Sequence, residues 1–274
     1  MCTWAVNSVI EYFNNRGSNV FTASMDMSKA FDNVSWSKLF STLERRSVDS
    51  VFLRLLLFIY KHQECVVKWN GATSSKFSVS NGVRQGGVSS GILFSVYIDD
   101  IMKKLRHNRI GCAIGGYFYG VFIFADDIIL LSASRNGLQS MVNTCSKFAG
   151  SLNLSFGTDP DVKKSKTKCI MFYASKRKKF EPLKIVLDRN DLPWVDSVKH
   201  LGCTLQNDNF ISLDILDKRR KFNGVVNSLF QEFSYASKDV RKIFLLYLQC
   251  HSMAHSYGTY TPKKLVNCSH HGTS

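Results

Sequence analysis

The stretch Phe124-Ala125-Asp126-Asp127 constrains this chain more than any other. Val121–Phe124 leads into it and Ile128–Leu131 leads out. Two apolar runs around a tight acidic corner read as strand, turn, strand. Two carboxylates aimed at one spot repel each other unless a cation sits between them, and hydrophobic walls raise that cost. A hairpin with Asp-Asp at its tip is therefore either an exposed turn, where Asp is a common residue, or a divalent-metal site.

The 274 residues are enough for one large domain or two smaller ones, and 45% hydrophobic residues supply a core, which excludes global disorder. A net charge of +15 and a pI of about 9.5 point to a polyanionic partner, nucleic acid ahead of an anionic membrane surface. The eight cysteines are dispersed, with no C-x-x-C pair, as in a reduced intracellular protein. Cys250, His255, Cys268 and His270 crowd the tail at spacings that fit no common zinc pattern. No apolar run approaches the ~20 residues needed to span a bilayer; Arg54 interrupts the greasiest stretch, Val51–Tyr60.

Periodicity organises the rest. Ala5, Val6, Val9, Ile10 and Phe13 recur at helical spacing, and Gly17 stops them. Val20–Met27 reads as a strand. Ser35 and Ser50 are placed to cap the next two helices. Cys65–Trp69 and Lys76–Val79 bracket Asn70-Gly71, a hairpin signal. A glycine-rich loop, Gly82 to Gly87, leads into a helix of about Ser89 to His107. After the acidic hairpin come a helix of about Gly137 to Leu152 and short strands around Ile170–Phe172, Ile185–Leu187 and Val198–Leu205. Amphipathic helices of about Leu213–Phe233 and Lys238–Cys250 close the chain. Interspersed strands and helices, with hairpins that demand antiparallel pairing, give an α+β class.

A second acid, Asp26, stands at the end of the Val20–Met27 strand, where a carboxylate can point off the sheet edge. It precedes Asp126 by 100 residues, so only the fold can join them. Joined, they form an oxygen-rich set suited to Mg²⁺, which takes carboxylates plus substrate phosphates. Two such ions ~4 Å apart can clamp the attacking and leaving oxygens of a phosphoryl displacement. Asp99 and Asp100 sit mid-helix, about 100° apart around the axis, and read as a solvated face.

MDMSKAFD, NGVRQGGVSSGILF and FADD, in that order, resemble the reverse transcriptase domain of non-LTR retrotransposons, over roughly Ala5 to Leu205. The resemblance implies a right-hand polymerase fold, with a split β-α-β antiparallel palm, partial fingers and a helical thumb remnant. It implies a reverse transcriptase palm with partial fingers over 1–205 and a thumb-like segment over 206–274. It implies RNA-directed DNA synthesis from an RNA template, a DNA primer and deoxynucleoside triphosphates, with two Mg²⁺ ions that Mn²⁺ could replace, in the nucleus or cytoplasm and with no membrane partner. Asp26 and Asp126 become the metal-bridging carboxylates, Asp127 their neighbour, and the Met27 carbonyl a further ligand. Phe31 becomes the aromatic beneath the sugar that excludes a 2′-hydroxyl; its plainer reading is a core Phe. Viral RNA-directed RNA polymerases, a rival likeness, place an Asp at that spacing, whereas Asp32 falls one residue later and reads as a local turn or cap group.

By the same resemblance Arg84, Gln85 and Gly86 touch the incoming nucleotide and template. Lys164, with Lys163 and Lys166 close behind, protonates the pyrophosphate leaving group, although a basic loop touching phosphates explains those lysines equally well. His200, Leu201 and Gly202 belong to the turn that grips the primer, with His200 read as packing. Lys176–Lys179 and Arg219–Lys221 suit phosphate contacts, and the first run could serve as a nuclear localisation signal. Ser89-Ser90-Gly91 replaces the family's usual Leu-Ser-Pro and loses helix-start pre-organisation. With Asp26 so early, the upstream fingers are expected to be missing and the chain to be a truncated, degenerate copy. The alternatives are a catalytically inactive nucleic-acid-binding remnant and, more weakly, a maturase-like partner of intron RNA.

Overall fold

The structure is a computed structural model. It describes residues 2–159, 161–162, 164–174, 183–201, 203–207, 211–212, 223–224, 226–228 and 231–232. Its centre is a run of hydrophobic strands too apolar to leave either face in water. Strand β1 (Val20–Asp26) follows helix α1 (Cys2–Asn15), and every residue of β1 up to Ala23 is buried. Helices α2 (Trp36–Arg45) and α3 (Ser50–Lys61) come next. Four two-residue strands then fold back on themselves: β2 (Glu64–Cys65), β3 (Lys68–Trp69), β4 (Ala72–Thr73) and β5 (Phe77–Ser78). Helix α4 (Ser90–Asn108) leads to the hairpin β6 (Ala113–Ile114) and β7 (Tyr117–Phe118), then to β8 (Val121–Phe124) and β9 (Asp127–Ser132). Helix α5 (Arg135–Ser151) precedes β10 (Lys168–Phe172), β11 (Ile185–Leu187), β12 (Asn190–Leu192), β13 (Ser197–His200) and β14 (Cys203–Gln206).

The main sheet is antiparallel throughout, in the order β10-β1-β9-β8. Alternation along β9 sends Ile128 and Leu130 into one core with α4 and α5, and Ile129 and Leu131 into another with Val6, Val9 and Ile10 of α1. Strand β10 divides likewise, with Cys169 and Met171 on the first face and Ile170 and Phe172 on the second. This is why β9 shows no polar alternation in sequence: the sheet is covered on both sides. The thiols of Cys112 and Cys145 are pushed up to about 12 by burial, and that of Cys169 is also raised, so these cysteines serve as core residues.

Several local expectations change. Asp49, not Ser50, caps α3, its Oδ1 accepting from the Val51 and Phe52 amides at 2.9 and 3.0 Å; a carboxylate also opposes the positive end of the helix dipole. Ser35 occupies the start of α2 without a side-chain cap bond. Helix α5 begins at Arg135 because Ser134 accepts from the Gly137 amide. The Asn70-Gly71 hairpin exists as β3–β4, but its second arm is broken: β5 pairs with β2. Around 198–205 the expected strand is a hairpin, β13–β14, turned at Leu201 (φ 48).

Asp99 and Asp100 are more than a solvated face. Asp99 meets Arg46 at 2.7 Å, Asp100 meets Arg45 at 3.2 Å, and Lys103 reaches both, so the pair ties α4 to the end of α2. Burial raises the Asp100 carboxyl, but its Lys103 hydrogen bond and the charges of Lys103, Arg45 and Arg46 outweigh that and hold it below the usual range. The Tyr97 hydroxyl donates to the Leu152 carbonyl at 3.0 Å and accepts from the Ser35 amide at 3.4 Å, joining α4 to the end of α5 and the start of α2.

The chain divides into two compact units, one spanning Cys2–Ile211 and the other Ser212–Ser274 with Met1. In the second, helical turns occur at 223–224, 226–228 and 231–232. The basic runs Lys176–Lys179 and Arg219–Lys221, the tail cluster, and most of the two expected C-terminal helices lie outside the described residues. No helix among the described residues is long and apolar enough to cross a membrane.

Candidate functional site

Strand β1 ends at Asp26 where β9 begins at Asp127, and the two are Cα partners in the ladder. Directly opposed residues of an antiparallel pair share a face. Alternation puts them on the face of Ile129, away from α4 and α5. Phe124 also pairs with Asp127, so Ala125 and Asp126 form a two-residue loop. Ala125 has φ 52, the left-handed first position of a hairpin turn that usually takes glycine. An alanine there costs about 1–2 kcal/mol. The Met27 amide donates to the Asp126 carbonyl at 3.4 Å and latches the loop onto the end of β1. The hundred residues between the two acids are thus closed by strand register.

Two further contacts hold Asp26. Its carbonyl accepts from the Gly157 amide at 2.9 Å, and its amide donates to the Thr167 hydroxyl at 3.5 Å. Neither Gly157 nor Thr167 carries a local sequence signal; Gly157 follows the antiparallel bridge of Met27 to Phe156, and Thr167 immediately precedes β10. Asp26 Oδ2 is buried and accepts no hydrogen bond, although the Lys166 ammonium stands 3.3 Å away. The Asp127 carboxyl is raised, first by burial and then by the charges of Asp126 and Asp26, with Lys166 opposing. Three carboxylates whose mutual repulsion Lys166 offsets only in part, one oxygen of them accepting no hydrogen bond, have the donor chemistry for a hard divalent cation. Among the described residues, no three His, Cys, Asp or Glu side chains stand close enough to enclose a metal ion. The corner therefore offers part of a coordination shell, as Mg²⁺ sites completed by substrate phosphates and water do.

The remaining expected residues fall around this corner or turn from it. Lys164 is exposed and lies 4.0 Å from Asp161, whereas Lys166, its near neighbour, touches Asp26. Phe31 stacks on Phe94 of α4, with centroids 4.8 Å apart and planes at 22°. Its carbonyl accepts from the Val83 amide at 2.8 Å, which brings the glycine-rich loop against it. Gly82 has φ +85, and a Cβ there would lie 2.9 Å from the Asp32 carbonyl oxygen, so only glycine permits this approach. Arg84, Gln85 and Gly86 are exposed, and Gln85 Nε2 donates to Asp32 Oδ1 at 3.2 Å. Asp32, Gln63, Val83, Arg84 and Gln85 border a cleft of about 480 Å³. His200 is buried with Nε2 unpaired, and burial lowers it to about 4, so it is neutral packing; Leu201 is half-buried. Gly202 and Lys163 lie outside the described residues.

Residues 3–205 match the protein family described as reverse transcriptase (RNA-dependent DNA polymerase). The Pol polyprotein of the type-2 retrotransposable element R2DM of Drosophila melanogaster is 27% identical over 154 residues, 56% of this chain and 14% of that protein. A transposon TX1 protein of Xenopus laevis is 29% identical over 136 residues, 49% of this chain and 10% of that protein. The chain thus spans a small part of the curated relatives it matches. A solved telomerase from Candida tropicalis, in complex with a fragment of telomeric RNA, has a TM-score of 0.54 at 12% identity and covers 93% of this chain and 42% of its own; it shares the fold.

Proposed function

The chain belongs to the reverse transcriptase (RNA-dependent DNA polymerase) family, its relatives being non-LTR retrotransposon proteins, and we propose that its acidic corner carries RNA-directed DNA polymerase chemistry. The observation behind this reading is the register of β1 on β9, which sets Asp26 opposite Asp127 with Asp126 in the adjoining loop. In right-hand polymerase terms the four-stranded sheet is a palm, α2, α3 and the short strands supply partial fingers, and the 206–274 segment is thumb-like.

On this reading Asp26, Asp126 and Asp127, with the Met27 carbonyl, would hold two Mg²⁺ ions. The chemistry supplied there would be a lowered pKa at a primer 3′-hydroxyl and neutralised triphosphate charge. The protein's own groups position and balance. Lys166 offsets the carboxylates and is the ammonium best placed, ahead of Lys164, to face a departing pyrophosphate. Phe94 fixes the plane of Phe31, which would lie beneath the deoxyribose. Arg84, Gln85 and Gly86 stand on the exposed loop for nucleotide and template, and Leu201 turns the hairpin expected to meet the primer. An RNA template and deoxynucleoside triphosphates place the reaction inside the cell.

The test is extension of a DNA primer annealed to RNA. The wild type should add deoxynucleotides in Mg²⁺, and Asp126→Asn should not. A second reading, a binding remnant without catalysis, draws on the incomplete metal shell among the described residues. It expects salt-sensitive binding and no extension by either protein. Extension that survives Asp126→Asn would remove the corner from the mechanism.

A further inference from the structure

A second concavity lies away from the acidic corner. The last turns of α4 and the β6–β7 hairpin border a cleft of about 1060 Å³. Lys103, Arg106, His107 and Arg109 bring cations to it, and Tyr117 and Tyr119 bring aromatic rings. Strand β8 separates Tyr119 from the Ala125-Asp126 loop, so at roughly 3.3 Å per residue the two sites stand more than about 10 Å apart.

The cations there are not all spoken for. Lys103 is paired with Asp99 and Asp100. Among the described residues, no carboxylate lies within ion-pair distance of Arg106 or Arg109. Basic side chains at a helix end offset the dipole, which accounts for Arg106 and His107 alone. Arg109 lies beyond the helix, at φ 50 and ψ 24, the position where glycine or asparagine is usual. An arginine held in left-handed backbone is a local cost of about 1 kcal/mol or more.

The aromatic wall is equally out of keeping with packing. Tyr117 is 73% exposed and Tyr119 37% exposed. Their hairpin is nonetheless anchored. The Tyr119 amide donates to Cys112 at 2.8 Å, Cys112 to Leu131 at 2.9 Å, and Leu131 to Gly120 at 2.7 Å. Gly120 lets the Phe118 ring lie directly on the backbone, where a Cβ would meet it at 2.6 Å. Gly115 and Gly116, both at positive φ, close the tip. Exposed rings on an anchored hairpin, bordering the same cleft as two guanidinium groups that no described carboxylate pairs, suit a flexible chain that alternates planar bases with phosphates. A duplex would hide its bases from those rings.

We propose that this cleft is a second nucleic-acid site, which takes a single strand by phosphate contacts to Arg106 and Arg109 and by base stacking on Tyr117 and Tyr119. It uses none of Asp26, Asp126 or Asp127, and so stands whether or not the chain extends primers.

The test uses the full chain with 12-nucleotide oligo(U) and oligo(dT) carrying photoreactive pyrimidines, read by fluorescence anisotropy and by mapping the cross-linked residue. Cross-links should fall on Tyr117 or Tyr119, in wild type and Asp126→Asn alike. Arg106→Glu with Arg109→Glu should weaken binding at least about tenfold and lower the slope of log affinity against log salt by about 1.4, two phosphates at about 0.7 each. Tyr117→Ala should weaken it about fivefold or more while Tyr117→Phe keeps it, because the ring face does the stacking. The ribo and deoxy arms show which strand is preferred. Cross-links confined elsewhere, affinity unmoved by Tyr117→Ala, or displacement by polyglutamate as effective as by poly(U) would overturn the proposal. The exposed Tyr117 variants decide the matter even if the arginine reversal fails to fold.

Discussion

At the scale of single residues, the acidic corner is a place where stability is set against the proposed function. Asp127 has a raised carboxyl, so the folded state holds its proton more tightly than the unfolded chain. The sign follows from linkage: stability falls as pH climbs from the ordinary carboxylate value of 3.8 through the raised one, and stays lower above it. Asp127→Asn is therefore expected to raise the thermal midpoint at pH 7 and flatten its dependence on acid pH, read by a thermal melt series. His200 has the opposite sign. Its folded value is lowered to about 4 by burial, so stability is complete above 6.5 and is lost as pH falls from 6.5 toward 4. His200→Leu should remove that loss, visible as a smaller drop in midpoint between pH 7 and pH 5. Phe31 bears on substrate choice: Phe31→Ala should raise ribonucleotide incorporation relative to deoxynucleotide, and an unchanged ratio in primer extension would reduce Phe31 to a core ring on Phe94.

Elements succeed here where one residue permits a close approach. Gly82 lets the glycine-rich loop lie on the Phe31–Asp32 backbone. Gly82→Ala combines a positive φ with a 2.9 Å contact to a carbonyl oxygen, and should cost about 1–3 kcal/mol in denaturant unfolding. The α2–α4 ion pairs are partly exposed, so Arg46→Ala should cost about 1 kcal/mol and lose most of that in high salt. The acidic hairpin and β1 were legible in sequence because apolar runs buried on both faces advertise themselves, and so was α1 through its period. The Gly115-Gly116 turn joins strands of two residues each, too short for an alternating pattern to mark them. The cap at Asp49 was hidden by an adjacent serine of equal propensity. The two-part arm of the β2–β5 ribbon was not legible, since a register break leaves no mark in composition.

For the whole molecule, the order of the main sheet decided what sequence alone left open. Asp26 and Asp127 meet because β1 lies between β9 and β10, a topology that short-range pattern cannot specify. The same packing chose Lys166 over Lys164 as the lysine at Asp26, and brought Thr167 and Gly157 to its backbone. A net charge of +15 adds a general attraction for nucleic acid, screened within about 8 Å at physiological salt. The proposed chemistry requires the three carboxylates to act together on divalent cations. Titration with Mn²⁺, followed by electron paramagnetic resonance of the free ion, measures this without requiring turnover. Wild type should take up Mn²⁺ at the corner, more tightly when a deoxynucleoside triphosphate and primed template are present, and Asp26→Asn and Asp126→Asn should each abolish that uptake. Equal Mn²⁺ binding by wild type and both variants would contradict it.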